Sequence, residues 1–337
     1  MSQQFNVAIF GATGAVGETL LDVLAEREFP VGELFLLASE RSEGKTYRFN
    51  GKTVKVEDVA NFDWTQVQIA LFSAGGDLSA QWAPIAAEAG VVVIDNTAQF
   101  RYDYDVPLVI PEVNPEAIAE FRNRNIIANP NCSTIQMLMA LKPIQDAVGI
   151  DRINVTTYQS VSGAGKAGID ELAGQTARLL NGLPAEPEAF GQQIAFNCIP
   201  QIDQFTENGY TKEEMKMVWE TQKIFNDPTL AVNPTCVRVP VFYGHAEAVH
   251  LETRAPIDAQ EVIALLSQCE GIEVFEGQDY PTQVRDAGGK DDVLVGRIRN
   301  DISHPSGLNL WVVADNVRKG AATNAVQIAE VLIRDYY

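Results

Sequence analysis

The sequence predicts an α/β chain in two domains: an open, mostly parallel sheet covered on both faces, then an α+β domain built on a mostly antiparallel sheet. Three observations carry this. Up to residue 130, short continuous apolar runs alternate with helical segments, the signature of parallel strands buried on both sides. Beyond residue 150 the strand-like runs lengthen and alternate their faces, as strands with one covered side do. A chain of 337 residues is also longer than one core usually organises. The expected domains are 1–130 with 316–337 returning to it, and 131–315.

Phe5–Phe10 reads as the first strand. Gly11-Ala12-Thr13-Gly14-Ala15-Val16-Gly17 follows directly, and a helix with Val16, Leu20, Val23 and Leu24 on one face comes next. Glycines at three-residue intervals between a strand and a helix let the backbone approach a pyrophosphate at the helix N-terminus. The spacing is GxxGxxG rather than GxGxxG, and a tight turn without ligand gives the same residues. Its place after the first strand favours a Rossmann-type dinucleotide site at Gly11, Thr13, Gly14, Ala15 and Val16. A second strand, Leu34–Ala38, leads into Ser39-Glu40-Arg41-Ser42-Glu43. An NAD site usually closes this strand with an acid on the ribose 2′-hydroxyl. Hydroxyls at Ser39 and Ser42 with a guanidinium at Arg41 suit a 2′-phosphate, so NADP is the expected cofactor. Val67–Phe72 and Val91–Ile94 are further strands, separated by a helix containing Leu78 and Trp82. Arg101 follows in a charged loop, either an anion clamp or a solvated charge.

Asn125–Ala128 reads as a buried strand and Thr134–Leu141 as a buried helix, with Asn129-Pro130-Asn131-Cys132-Ser133 between them. Cys132 is thus expected at a strand-to-helix turn, near the unpaired N–H groups and positive end of the dipole. Such a place favours the thiolate and offers donors to an oxyanion. A small buried core cysteine is the other reading.

In the second domain, Ile153–Gln159, Val237–Phe242, Ala248–Thr253 and Leu308–Ala314 read as strands, with a helix around Leu172–Leu180. A final helix over Ala321–Leu332 is expected to cover the first domain. His245, beside Gly244 at a strand end, is the candidate acid–base partner of Cys132, while a structural histidine is the alternative.

Net charge is −20 with pI about 4.5, which argues against nucleic-acid binding, since that needs clustered cations. The four cysteines are scattered without a CxxC pair, so no metal site or disulfide framework is expected. Met1–Phe5 shows no secretory leader and no apolar run reaches spanning length, which excludes a membrane partner and points to the cytoplasm.

Longer motifs add a resemblance covering nearly the whole chain. FGATGAVG at Phe10–Gly17, ASERSEGK at Ala38–Lys45, ANPNCSTIQM at Ala128–Met137 and TYQSVSGAG at Thr157–Gly165 appear in order. TKEEMKM at Thr211–Met217, TCVRVPVFYGHAE at Thr235–Glu247 and DNVRKGAATNAVQIAE at Asp315–Glu330 complete the set. The sequence resembles the bacterial aspartate-β-semialdehyde dehydrogenases. The resemblance implies reduction of L-aspartyl 4-phosphate by NADPH to L-aspartate 4-semialdehyde and inorganic phosphate, in the biosynthesis of lysine, diaminopimelate, threonine, methionine and isoleucine. It implies Cys132 as nucleophile with Asn131 beside it, His245 as acid–base residue and Gln159 as orienting residue. Arg238 would clamp the α-carboxylate, Glu213 would meet the α-amino group with adjacent Glu214 as the alternative, and Arg101 with Lys216 would take the phosphate. To the cofactor site it adds Ser162, Gly163 and Asn316. A homodimer built through the second domain is implied as well. Asp95–Arg101 departs from the usual serine-rich version. Two other readings are a reductase of another acyl phosphate, such as N-acetylglutamyl phosphate, and a silent assembly subunit. The intact Cys132, Gln159, Arg238 and His245 speak against the second.

Overall fold

The computed structural model describes residues 3–337; Met1 and Ser2, part of the stretch read for a leader, lie outside them. The chain divides into two compact units, 1–131 with 321–337, and 132–320.

The first unit begins with β1 (Phe5–Phe10), α1 (Ala15–Glu26) and β2 (Val31–Ala38), then β3 (Thr46–Phe49) and β4 (Lys52–Asp58). It continues through β5 (Ile69–Phe72), α2 (Gly76–Glu88), β6 (Val92–Asp95) and β7 (Ile126–Ala128). The sheet order is β3-β4-β2-β1-β5-β6-β7, parallel except for the β3–β4 hairpin. The expected apolar runs are the central strands, and Val7, Ile9, Leu36, Ile69, Leu71 and Ile94 are wholly buried. The β3–β4 hairpin has mostly polar strands at the sheet edge, so no apolar run announced it.

Steric closeness explains two of the three glycines after β1. Gly11 has φ +91°, and a Cβ there would stand 2.7 Å from the Ser73 carbonyl carbon. A Cβ on Gly17 would lie 2.2 Å from the Gly11 carbonyl oxygen. Both contacts hold the start of α1 against the sheet.

The second unit opens with α3 (Cys132–Val148), β8 (Ile150–Gln159), α4 (Gly165–Leu180) and α5 (Lys212–Ile224). It continues with β9 (Ala231–Arg238), β10 (His245–Thr253), α6 (Ala259–Leu266), β11 (Ile272–Val274), β12 (Val293–Asn300) and β13 (Gly307–Ala314). Its sheet order is β11-β12-β13-β10-β8-β9. The β12–β13, β13–β10 and β10–β8 pairs are antiparallel, whereas β8–β9 and β11–β12 are parallel. The sheet is thus mixed and mostly antiparallel. One expectation is corrected: β9 ends at Arg238 rather than running over Val237–Phe242. Pro240 has no N–H to continue a ladder, and the carbonyls of Val241 and Phe242 instead accept from Val161 and Ser162 in the loop after β8.

The last helix, α7 (Thr323–Tyr336), belongs to the first unit and is preceded by a π-turn over Arg318–Ala322. Residues 316–320, expected with the first domain, cluster with the second. Asn316 explains this, because its Oδ1 accepts from Ser160 Oγ at 3.0 Å, Ser162 Oγ at 3.1 Å and Gly244 N at 2.9 Å. Asn131, expected with the second domain, closes the first unit.

Gly17→Ala forces its methyl into the turn and is expected to cost about 1–3 kcal/mol, as overpacking of a tight site does. Chemical denaturation checks this, and unchanged stability would mean the turn relaxes freely.

Candidate active site

Strand register builds the centre of the site. Gln159 ends β8 and pairs across the sheet with Arg238 of β9 on one side and His245 of β10 on the other. Paired residues point to the same face, so three functional side chains form one row. All three are buried. Such a row is stable only if each polar group is satisfied.

Gln159 is fixed at both ends of its amide. Oε1 accepts from Thr157 Oγ1 at 2.9 Å, and Nε2 donates to Glu213 Oε1 at 3.0 Å. The Nη1 of Arg238 donates to the Ser160 carbonyl at 2.6 Å, and its guanidinium lies over the Phe190 ring with 5.7 Å to the centroid. Burial lowers its pKa, opposed by the negative charges of Glu213, Cys132 and Cys236. Cys132 is therefore within electrostatic reach of the same guanidinium.

His245 receives the Ser160 N–H on Nδ1 at 3.0 Å, with Ser160 Oγ 3.1 Å from the same nitrogen. An Nδ1 that accepts a backbone N–H places the proton of the neutral ring on Nε2. Burial, reinforced by the Arg238 charge and opposed by Glu213, lowers its pKa from 6.5 to about 3. The imidazole is thus neutral and presents Nε2–H as a donor. Gly163 leaves the space in front of it open: a Cβ there would stand 2.8 Å from Arg238 Nη1 and 3.2 Å from His245 Nε2.

Helix α5 separates two adjacent glutamates. Glu214 is used structurally, taking the Thr211 N–H at 2.7 Å in a capping box and the Cys236 N–H at 3.0 Å. Glu213 faces the row, holding Gln159 on one oxygen and Lys216 Nζ on the other at 3.0 Å. Lys216 also meets Asp203 at 3.1 Å. Cys132 is the first residue of α3, two positions earlier than the expected helix start. Gly320 lies against it, for a Cβ there would come within 2.7 Å of Cys132 Cβ.

The first unit holds the remaining predicted residues. Thr13, Gly14, Ala15 and Val16 form the turn into α1, whose N-cap Gly14 supplies no side-chain cap. The leading N–H groups of the helix are therefore available to an anion, which fits a dinucleotide pyrophosphate. Ser39, exposed Arg41 and Ser42 sit on a short 3₁₀ turn immediately after β2. Arg101 is buried and donates to the Asn96 carbonyl at 2.8 Å. The unusual Asp95–Arg101 loop is ordered by Asp95, which accepts from Ser79 Oγ at 2.9 Å and Thr97 Oγ1 at 2.7 Å. Burial raises the Asp95 pKa, and these bonds oppose it.

Sequence reasoning missed Ser160, Thr157, Asp203, Phe190 and Gly320. Thr157 was legible in principle, as a polar residue at the buried parity of β8.

Comparison with known proteins identifies the family. The semialdehyde dehydrogenase NAD binding domain matches residues 6–121, and the semialdehyde dehydrogenase dimerisation domain matches residues 141–319. Aspartate-semialdehyde dehydrogenase 2 of Vibrio cholerae is 85% identical over 100% of both chains. The chain belongs to the aspartate-semialdehyde dehydrogenase family. A crystal structure of aspartate-semialdehyde dehydrogenase II from Vibrio cholerae complexed with ASA superposes with TM-score 0.99 at 84% identity, covering 100% of both chains. The Candida albicans aspartate-semialdehyde dehydrogenase with NADP matches at TM-score 0.77 and 26% identity, over 98% of this chain and 99% of that one. As an aspartate-semialdehyde dehydrogenase family member, the chain is a phosphorylating aldehyde dehydrogenase with a nicotinamide-binding domain.

The depressed imidazole gives a prediction. The unfolded chain protonates this histidine below 6.5 and the folded chain only near 3, so its contribution to stability is complete above 6.5 and is lost as pH falls toward about 3. NMR of the His245 ring should show the neutral form across that interval; titration at the ordinary value would overturn the assignment.

Proposed function

We propose that this enzyme reduces L-aspartyl 4-phosphate to L-aspartate 4-semialdehyde, using NADPH and a thioester on Cys132. The observation that carries the reading is the buried Arg238–Gln159–His245 row with Glu213 turned onto it. Fixed positive and negative groups beside a neutral donor suit a short amino acid activated at its side chain.

The planar fork of Arg238 suits the α-carboxylate, and Glu213 suits the α-ammonium. Glu214 is left out of this role because both its oxygens are committed to backbone N–H groups. Lys216 and Arg101 are assigned the phosphate. Cys132 attacks the acyl carbon as its thiolate; the C–S bond forms, the C–O bond to phosphorus breaks, and inorganic phosphate leaves. Asn131, the preceding residue, is assigned to assist Cys132, and the first N–H groups of α3 would receive the oxyanion of that step. The residues that would hold NADPH are Gly11, Thr13, Gly14, Ala15, Val16, Ser39, Arg41, Ser42, Ser162, Gly163 and Asn316, and when bound it supplies the hydride that a thioester accepts and a free carboxylate does not. His245 Nε2–H donates to the oxygen that becomes negative as the carbonyl is reduced, with Gln159 holding substrate and ring in line. Collapse breaks the C–S bond, releases the aldehyde and returns the thiolate.

Placement in the biosynthesis of lysine, diaminopimelate, threonine, methionine and isoleucine, and in the cytoplasm, follows the same reading. Among the described residues no helix is long and apolar enough to cross a membrane. A homodimer through the second unit is supported by the matched dimerisation domain and by a mostly apolar groove on its sheet, lined by Ala248, Tyr280, Pro281 and Trp311 among others.

The test is phosphate-dependent reduction of NADP by the semialdehyde, with NAD alongside. Cys132→Ser is expected to lose at least about 10³-fold in kcat, as removal of a nucleophile does. Intact protein mass after aspartyl phosphate, without dinucleotide, should show one acyl adduct, absent in that variant; an adduct elsewhere would sink the mechanism. Arg41→Ala should raise KM for NADP about tenfold while leaving NAD nearly unchanged. Equal losses would show that Arg41 does not read the 2′-phosphate.

A further inference from the structure

One row below the catalytic row, β10 places Glu247 opposite Thr157 of β8 and Val312 of β13. Glu247 is fully buried, and neither of its carboxyl oxygens has a hydrogen-bond partner. Across from it, α3 carries Gln136, also fully buried, whose Oε1 likewise has none. Gln136 Nε2 donates to the backbone carbonyl of His245 at 3.3 Å.

The spacing ties these residues to the reacting pair. Gln136 is four residues after Cys132, so it lies one turn on along the same helix face. Glu247 is two residues after His245 and shares its face of the strand. The nucleophile and the imidazole therefore stand over a second pair built from the same two elements. Thr157 and Cys236 complete that second row on β8 and β9.

An ionised carboxylate without a single donor is not tolerated in a sealed interior. A carboxylic acid is, provided its O–H finds an acceptor, and Gln136 Oε1 is an acceptor without a donor. We propose that Glu247 is a neutral carboxylic acid donating to Gln136 Oε1, and that this pair positions α3, which carries Cys132, against β10, which carries His245. The inference rests on the reading of Cys132 and His245 as the reacting groups. Glu247 and Gln136 are positioning residues; neither meets substrate.

The electrostatic surroundings agree. Burial raises the Glu247 pKa well above 4.5; the Gln136 side chain beside it opposes this, without reaching hydrogen-bond geometry to either carboxyl oxygen. The ionisable groups nearby are His245 on the same strand, Cys236 on β9 and Cys132 one turn from Gln136 on α3, with Arg238, Glu213 and Glu214 beyond them. Burial depresses the imidazole, with Arg238 adding to it, while burial and the charges of Glu213, Glu214 and Glu247 push the Cys236 thiol well up. Both are thus uncharged at neutral pH. Thr157 and Val312 from the flanking strands, and Gln136 from α3, bring no charge.

Four measurements on Glu247→Gln, Glu247→Ala, Gln136→Ala and the double alanine variant test this. Glu247→Gln keeps a neutral donor and is expected to hold kcat within about twofold. Glu247→Ala should lose about tenfold to a hundredfold in kcat, the scale of a misplaced reacting group, with KM nearly unchanged. Its Cys132 alkylation rate against pH should shift as well. Gln136→Ala should match it, and the double variant should be no worse than either single one. Melting temperatures give an independent reading. The folded wild type retains this proton above 4.5 where the unfolded chain releases it, so stability falls as pH rises from 4.5 toward the raised value, and Glu247→Gln removes that slope. Should Glu247→Ala not fold, Glu247→Gln and Gln136→Ala still decide. A Glu247→Gln enzyme as impaired as the alanine variant, or additive losses in the double variant, would overturn the proposal. Cys132→Ser and His245→Asn run alongside: full turnover in either would overturn the reading of the site itself, while the melting slope continues to report on the buried acid.

Discussion

The site depends on one constraint: a row of three polar side chains must be satisfied without water. Gln159, in the middle, is the only one that faces both neighbours, and its amide is pinned by Thr157 and Glu213. That choice propagates outward. Glu213 is turned inward onto Gln159 and Lys216, while its neighbour Glu214 caps α5 and holds the Cys236 backbone. Ser160, immediately after Gln159, then supplies its N–H to His245 and its carbonyl to Arg238. A single residue after the strand end thus sets the tautomer of one functional group and the orientation of another.

The same constraint explains the glycines. Where the chain must pass close to these fixed side chains, no Cβ can be accommodated. Gly163 passes Arg238 and His245, and Gly320 passes Cys132. These contacts differ from those of Gly11 and Gly17, which close a turn against backbone. In the first unit glycine shapes the turn that opens α1. In the second it leaves room beside Arg238, His245 and Cys132.

How much of this was legible depended on what each signal encodes. The first sheet was readable because its central strands are continuous apolar runs, and Phe5–Phe10 and the glycine turn stand where expected. The β3–β4 hairpin was not, since Tyr47 and Val54 alternate with polar residues in strands too short to show a period. In the second domain the apolar run at Val237–Phe242 misled, because hydrophobic character continued past Pro240 while the ladder did not. The roles of Cys132, His245, Gln159 and Arg238 were expected from motifs, yet the register that aligns three of them was not, since pairing between distant strands leaves no local trace. Glu213 was preferred over Glu214 on resemblance alone; the structure separates their surroundings, with Glu214 held in the capping box and Glu213 on Gln159 and Lys216.

A neutral histidine also changes how the chemistry is best understood. An imidazolium beside Arg238 would place two positive charges in a dry pocket, with a backbone N–H already aimed at Nδ1. Neither the field nor the hydrogen bonding favours it. The ring is therefore suited to meet negative charge as it appears, by offering Nε2–H, rather than to carry a proton in advance. Such a donor works only if its distance to the oxygen it meets is fixed before substrate arrives, because a hydrogen bond formed a fraction of an ångström too long contributes little. On the function proposed above, fixing that distance calls for α3, which bears Cys132, and β10, which bears His245, to be joined below the site. Apolar packing alone allows helices to slide over sheets at small cost, whereas a paired amide and acid in a sealed interior permit one register.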